Sequence, residues 1–177
     1  MDRGRRLLAT AAMRLMAACV VAAFLFAAAP SRATEPKPYI DIRIDDVLPG
    51  SIKAFRWNGR PFVIVRATNE MLDDLRAQTP HTWSKRAISD DGPAFFVFST
   101  VSSAHGCPVV HAPPGAKRYA PKRLWQGGFY DPCRFGEWDY AGRTIKQYVD
   151  QDDTMRRPDL DVLTFELKDH STLRITR

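Results

Sequence analysis

Apolar and polar residues alternate in several short segments of the chain, and this alternation predicts β-strands. Residues 39–44 alternate over six positions, which is typical of a strand with one buried face. The pattern resumes over residues 52–57 and again over residues 62–67. Asn58-Gly59 lies between these two segments and is a strong signal for a type I′ hairpin turn. Residues 94–98 form a continuous apolar run, which predicts a buried strand.

One short helix and several loops complete the predicted fold. Thr68 is a suitable N-cap, and the helical spacing of apolar residues begins at Met71. Residues 78–92 are polar and are predicted to be a loop, and residues 111–126 are rich in proline and are predicted to be irregular. The end of the chain predicts two strands around a turn at residues 168–170. Short strands with frequent turns indicate an all-β fold.

The N-terminal segment is predicted to be a targeting signal. A basic start is followed by an apolar run of 15 residues, 15–29, and then by Ser31-Arg32-Ala33, whose small residues suit signal peptidase. A membrane span needs about 20 apolar residues, so we favour a signal peptide over residues 1–33. The alternative is an N-terminal membrane anchor formed by residues 7–29. Either reading places the rest of the chain outside the cytoplasm.

Removing residues 1–33 changes the charge of the chain. The intact sequence has a net charge of +6, but this segment holds five of the 26 basic residues and one of the 20 acidic residues. The remaining 144 residues therefore carry a net charge of +2, which removes the main support for nucleic-acid binding. A length of this size suits one domain, residues 34–177, with a single core.

Two loop sequences carry the most specific chemistry. The first is Ser102-Ser103-Ala104-His105-Gly106-Cys107, and the second is Asp131-Pro132-Cys133-Arg134 within residues 127–143. Together with Leu48-Pro49-Gly50, residues 57–66 and Pro158-Asp159-Leu160, they resemble the Rieske [2Fe–2S] family, and most closely the iron–sulfur subunits of cytochrome bc complexes. The resemblance covers most of residues 38–177. It implies an antiparallel β-sheet sandwich with a short helix and a small site subdomain at about residues 93–145.

The resemblance also implies that the cluster ligands are lost. The family patterns are Cys-x-His-x-Gly-Cys and Cys-Pro-Cys-His-Gly-Ser-x-Tyr-Asp, in which the first Cys and the His of each loop bind iron. The corresponding positions in this chain are Ser102, Ala104, Asp131 and Arg134. Alanine and arginine do not coordinate iron, and serine and aspartate are poor substitutes for a thiolate.

Beyond the ligands, the two loops keep the second cysteines of the family and lack the Ser and Tyr hydroxyls that serve the cluster. The second cysteines of the loops form a disulfide in the quinol-oxidising branch, so the resemblance implies a Cys107–Cys133 bridge, as expected in an oxidising compartment. The Ser and Tyr whose hydroxyls donate to cluster sulfur correspond to Gly136 and Trp138.

Several alternatives stay open from the sequence. Asp131 and Arg134 either form an ion pair across the site or both face water, where a pair contributes little. The residue types of His105, Cys107, His111 and Cys133 would suit zinc or an iron–sulfur cluster with shifted ligands. Cys107 and Cys133 could instead act in thiol–disulfide exchange. Basic and aromatic residues over 117–125 either form a solvated loop or dock on an acidic protein or lipid.

The sequence therefore predicts an exported, Rieske-like protein that is not an enzyme and binds no cofactor. We expect it in the periplasm or on the periplasmic face of a bacterial inner membrane. Its expected role is that of a structural or partner-binding module, with an unknown protein partner such as a membrane complex. The alternatives are an electron-transfer protein with a non-standard site and a thiol–disulfide redox protein.

Overall fold

The computed structural model describes residues 35–88, 94–116, 125–146 and 157–176. Pro36–Arg177 form one compact unit. The described ranges contain three antiparallel sheets of three strands each and one α-helix, so the predicted all-β fold with a short helix is confirmed. No helix in these ranges has the length and hydrophobicity to cross a bilayer. The predicted signal segment 1–33 and residues 117–124 lie outside the described residues.

The strands, in chain order, are β1 Tyr39–Arg43, β2 Ile52–Trp57, β3 Arg60–Arg66, β4 Phe95–Ser99, β5 Val110–Ala112, β6 Gly128–Tyr130, β7 Glu137–Trp138, β8 Thr164–Asp169 and β9 Thr172–Thr176. The helix α1 spans Asn69–Gln78 and is followed by a 3-10 turn, Thr79–His81. The outer sheet has the order β1-β9-β8, the central sheet β2-β3-β4 and the site sheet β5-β6-β7.

Strand β3, the middle strand of the central sheet, is buried on both faces. Its apolar run sends alternate side chains to opposite sides of the sheet. Phe62 and Ile64 pack in the cluster that contains Leu173 of the outer sheet. Val63 and Val65 pack in the cluster that contains Phe129 and Trp138 of the site sheet. The site sheet is thus held against the central sheet by a shared core.

Two local predictions are confirmed in detail. Thr68 caps helix α1, since its hydroxyl accepts a hydrogen bond from the Met71 amide at 3.2 Å. Asn58 and Gly59 join β2 to β3 with φ angles of 49° and 78°, as a type I′ turn requires. The hairpin register pairs Trp57 with Arg60.

Other boundaries differ from those predicted. Residues 111–126 were expected to be irregular, but His111 and Ala112 belong to β5, because they pair with Phe129 and Gly128 of β6. The loop expected at 78–92 begins with the last helical residue and the 3-10 turn. The turn expected at residues 168–170 lies slightly later, because Asp169 still belongs to β8 and its carboxylate accepts from the Ser171 amide.

Candidate functional site

Two loops beside the site sheet share one backbone design. In the first site loop (residues 102–107), the amide of Ser102 donates to the Cys107 carbonyl and the amide of Gly106 donates to the Ser102 carbonyl, both at 2.8 Å. The second site loop (residues 131–136) repeats both bonds at the equivalent positions. There the amide of Asp131 donates to the Gly136 carbonyl at 2.9 Å, and the amide of Phe135 donates to the Asp131 carbonyl at 2.8 Å.

Each loop also has a residue with positive φ at its fifth position. Gly106 has a φ of 69° and Phe135 has a φ of 61°. Glycine adopts this left-handed conformation without steric cost, whereas a bulky side chain does not. The second site loop therefore keeps the backbone that glycine would favour while carrying an aromatic side chain that is 51% exposed.

Asp131 closes the second site loop with its side chain. Its Oδ1 accepts hydrogen bonds from the amides of Cys133 at 2.7 Å and Arg134 at 3.2 Å. Such a local bond from Asp to the backbone two residues on stabilises a tight turn. The side chain is 0% exposed, and Oδ2 is buried without a hydrogen-bond partner among the described residues. One carboxylate oxygen is thus used by the loop and the other is not.

Neither of the two alternatives left open for Asp131 and Arg134 describes Asp131, which is buried and does not pair with the guanidinium. The carboxylate is bound to the backbone amide of Arg134 instead of its guanidinium, and Arg134 is exposed. The physical reason is the turn, which brings the amides of positions 133 and 134 to the carboxylate.

A disulfide joins the two loops. Cys107 and Cys133 are bonded, with their Cα atoms 6.4 Å apart, which lies in the usual range for a disulfide. The bridge pairing that the resemblance implied is therefore present. A carboxylate oxygen of Asp131 and the two Sγ atoms all lie within 4.8 Å of one another. A buried carboxylate accordingly lies directly beside the bridge.

The histidines suggested by the sequence do not join this group. Among the described residues, the cluster of potential metal-ligating side chains contains Cys107, Asp131 and Cys133, and neither His105 nor His111. His105 is exposed on the first site loop. His111 lies on β5 with its Nε2 atom 3.2 Å from the Tyr140 hydroxyl. Partial burial lowers the pKa of His111 and raises the pKa of Tyr140.

Trp138 packs closely against two glycines, Gly136 and Gly128, at the end of the second site loop. A Cβ atom at Gly136 would overlap the ring of Trp138. The Trp138 side chain is 1% exposed, and its indole N–H donates to the Pro158 carbonyl at 3.0 Å. Gly128 has a φ of 147°, and a Cβ atom there would overlap the Trp138 carbonyl. Position 136 therefore has to be glycine because position 138 is tryptophan.

A buried ion pair lies immediately after this loop. Arg143 and Asp139 are both 0% exposed, with Nε donating to Oδ2 at 2.7 Å. Arg143 also donates to the Leu75 carbonyl at 2.5 Å, in the last turn of α1, and to the Thr79 hydroxyl at 2.9 Å, in the 3-10 turn that follows. The pair thus connects the site to the helix. Burial raises the pKa of Asp139, and Arg143 opposes this rise.

In the sequence, Asp139 and Arg143 lie within residues 127–143, which carry the family resemblance. The turn between them was the available signal, since Asp139 Oδ1 accepts from the amides of Ala141 and Arg143, both at 2.9 Å. A short Asp-to-Arg spacing around a glycine is consistent with such a turn. Nothing in the local pattern indicated that both charges would be fully buried.

Comparison with known proteins supports a distant Rieske-like relationship. No family model matches the chain. The ubiquinol-cytochrome c reductase iron-sulfur subunit of Allochromatium vinosum is 24% identical to this chain over 131 residues. The match covers 66% of this chain and 61% of that subunit, so the matched region spans about three fifths of the relative's length. The match supports a distant Rieske-like relationship, and the all-β fold is consistent with it.

Proposed function

We propose that this chain is an exported Rieske-like protein without a [2Fe–2S] cluster, and that it serves as a structural or partner-binding module of a membrane or periplasmic complex. The match to an iron-sulfur subunit of a multi-subunit reductase supports the relationship. The basic and apolar N-terminal segment supports export. On this proposal the chain has no catalytic activity of its own.

The residues at the histidine positions of the family carry the proposal. Ala104 has no donor atom, and Arg134 is an exposed guanidinium, which stays protonated in proteins and does not bind iron. A Rieske cluster needs two imidazoles on one iron. The residues present therefore do not fit the cluster.

The thiolate positions support the same conclusion. Ser102 and Asp131 offer oxygen where the family uses sulfur, and the Oδ1 atom of Asp131 is already bound to two backbone amides. The positions whose hydroxyls serve the cluster sulfur in the family hold Gly136 and Trp138, which pack against each other. The place of the two hydroxyl donors is taken by a matched apolar pair.

The geometry favours this proposal over a thiol–disulfide enzyme. Reactive cysteines lie in electropositive surroundings that stabilise a thiolate. Here a buried carboxylate lies within 4.8 Å of both sulfur atoms and would repel a thiolate. We therefore do not assign the two cysteines a role in thiol–disulfide catalysis.

The test is anaerobic purification of the full chain from its native host, followed by iron analysis and electron paramagnetic resonance of the reduced protein. We expect a colourless protein without iron or a Rieske signal, while the Allochromatium vinosum subunit prepared in parallel gives both. Stoichiometric iron in this chain would contradict the proposal.

Export and partner binding are tested separately. N-terminal sequencing of the mature protein is expected to begin at or near Thr34, whereas an intact N-terminus in the membrane fraction would support the anchor. Crosslinking in intact cells, followed by affinity capture of the tagged chain, is expected to yield one defined membrane or periplasmic partner. A chain that stays uncrosslinked at native abundance would contradict the partner-binding role.

A further inference from the structure

The buried Oδ2 atom of Asp131 is the feature of the site that the structural role leaves unexplained. A carboxylate oxygen that is buried without a hydrogen bond costs free energy, because it has lost its water. In a native protein such an atom calls for a specific reason, of which a bound ion is one. A carboxylate oxygen of Asp131 also lies within 4.8 Å of two sulfur atoms, and sulfur atoms are among the strongest ligands for soft metal ions in proteins.

We propose that Cys107, Asp131 and Cys133 form a binding site for a thiophilic divalent cation of the zinc class when the disulfide is open. Zinc accepts thiolate and carboxylate ligands, at about 2.3 Å and 2.0–2.2 Å. In a tetrahedral site, two thiolates on one zinc lie about 3.8 Å apart. The three ligand atoms lie within 4.8 Å of one another, so only small side-chain movements are needed.

The backbone of the two loops already holds these residues in place. In the first site loop, the Cys107 carbonyl accepts one of the two closing hydrogen bonds. In the second site loop, Asp131 takes part in both closing bonds, through its amide and its carbonyl. These are backbone hydrogen bonds, so opening the bridge removes none of them. Cys133 is exposed and Cys107 is half-buried, so a reductant and a metal ion can reach the sulfur atoms.

The redox step balances with a dithiol as reductant. The disulfide takes two electrons and two protons from the dithiol and becomes two thiols, while the dithiol becomes a disulfide. The cation then binds both sulfur atoms and releases the two thiol protons. Bridge formation and cation binding are therefore mutually exclusive states of one site. This inference rests on the proposed absence of a [2Fe–2S] cluster, because Asp131 corresponds to a cluster-ligand position of the family. Iron analysis of the purified chain tests that absence separately from Co²⁺ binding.

The experiment uses Co²⁺ as the probe and the full chain reduced by a phosphine under anaerobic conditions. We expect one Co²⁺ per reduced chain, with thiolate-to-cobalt charge-transfer absorption that Zn²⁺ abolishes by competition. The oxidised chain should not bind. Asp131→Asn keeps the size of the side chain and the loop bonds of Oδ1 but removes the charge. It should weaken binding at least about tenfold, since even groups that only support metal ligands contribute 10–100-fold.

Matched variants decide between ligand sets. His105→Ala and His111→Ala should bind Co²⁺ as the wild type does, whereas the double variant Cys107→Ser/Cys133→Ser should lose the charge-transfer band. Unchanged affinity in Asp131→Asn, or loss of binding in a histidine variant, would overturn the proposal. If Asp131→Asn does not fold, zinc-edge X-ray absorption of the reduced wild type decides instead. Two sulfur ligands without imidazole scattering support the site, and imidazole scattering overturns it.

Discussion

The first and second site loops have the same backbone and are fixed in different ways. Both close with the same pair of amide-to-carbonyl bonds, and both place a residue with positive φ at the fifth position. The first site loop has Gly106 at that position and is bonded to a residue outside the loop, since the Ser103 hydroxyl donates to the Asp159 carbonyl at 3.1 Å. The second site loop is bonded within itself, through the Asp131 carboxylate. The shared backbone shows that each loop is closed by hydrogen bonds between its own residues.

The supports beneath the two loops also differ. The second site loop runs directly into Trp138 and the buried Asp139–Arg143 pair, which is bonded to helix α1. The first site loop has no charged support of this kind among the described residues, and the disulfide is its covalent tie to the second. We therefore expect the second loop to depend on buried charge and the first to depend on the bridge.

The largest expected effect is that of Arg143→Met. It leaves the carboxylate of Asp139 buried without its partner, and breaking a buried pair in this way typically costs 3–5 kcal/mol. Urea denaturation of the variant and the wild type measures the loss. The control is Asp139→Asn/Arg143→Met, which removes both charges and should recover a large part of the stability. A loss below about 1 kcal/mol in the single variant would show that the pair does not support the second loop.

Removal of the disulfide comes next. The bridge closes a loop of roughly 27 residues, for which the chain-entropy model gives about 3.5 kcal/mol. Cys107→Ala and Cys133→Ala should each destabilise the protein by about 2–5 kcal/mol. The double variant should lose little more than either single one, because all three delete the same bond. Simple addition of the two single effects in denaturant melts would contradict this.

The sequence predicted the fold well where a pattern or a cap determines the structure. The alternation in β1 matches its burial, with Ile40 and Ile42 turned inward. The site sheet was missed because β5, β6 and β7 have only two or three residues each, too few for a period to be seen. These strands form because Phe129 and Trp138 join the core that Val63 and Val65 provide.

The sequence identified which residues form the two site loops, but it did not determine which side chains interact there. The family resemblance identified both loops, and the bridge that it implied is present. The sequence left open whether Asp131 and Arg134 pair or both face water, and Asp131 does neither, because it is buried and its carboxylate accepts from the Arg134 amide. Opposite charges three residues apart do not reveal that a turn brings backbone amides to the carboxylate. Burial of Asp139 with Arg143 depends on distant residues such as Leu75 and Thr79, which a local pattern does not contain.

A smaller loss of stability is expected when the side-chain hydrogen bonds of either loop are removed, at Asp131 in the second site loop or at Ser103 in the first. Asp131→Ala removes the acceptor for two backbone amides, and loss of an equivalent capping side chain costs about 0.5–2 kcal/mol. Asp131→Asn retains an acceptor oxygen and should lose less than half as much. Ser103→Ala removes one exposed bond of the first site loop, which is worth about 0.5–1.5 kcal/mol. Equal losses in the alanine and asparagine variants at position 131, measured by urea denaturation, would show that the carboxylate does not close the loop.

The smallest expected effect is a gain in stability, on replacing Phe135 by glycine, and it tests the backbone conformation that the two loops share. Phe135 has a φ of 61°, and the left-handed conformation costs a non-glycine residue about 1–2 kcal/mol. Glycine removes that cost but loses more entropy on folding, about 0.5–1 kcal/mol. Phe135→Gly should therefore stabilise the protein slightly, by up to about 1 kcal/mol.

Phe135→Ala is the matched control, because it also removes the ring but keeps the strained conformation. The difference between Phe135→Gly and Phe135→Ala in thermal and urea denaturation thus reports the backbone alone. At position 106, the wild-type glycine should likewise be more stable than Gly106→Ala, since alanine there introduces the backbone strain that Phe135 already has. If alanine is as stable as glycine at both positions, the fifth residue does not need positive φ, and the two loops do not share the backbone described for them.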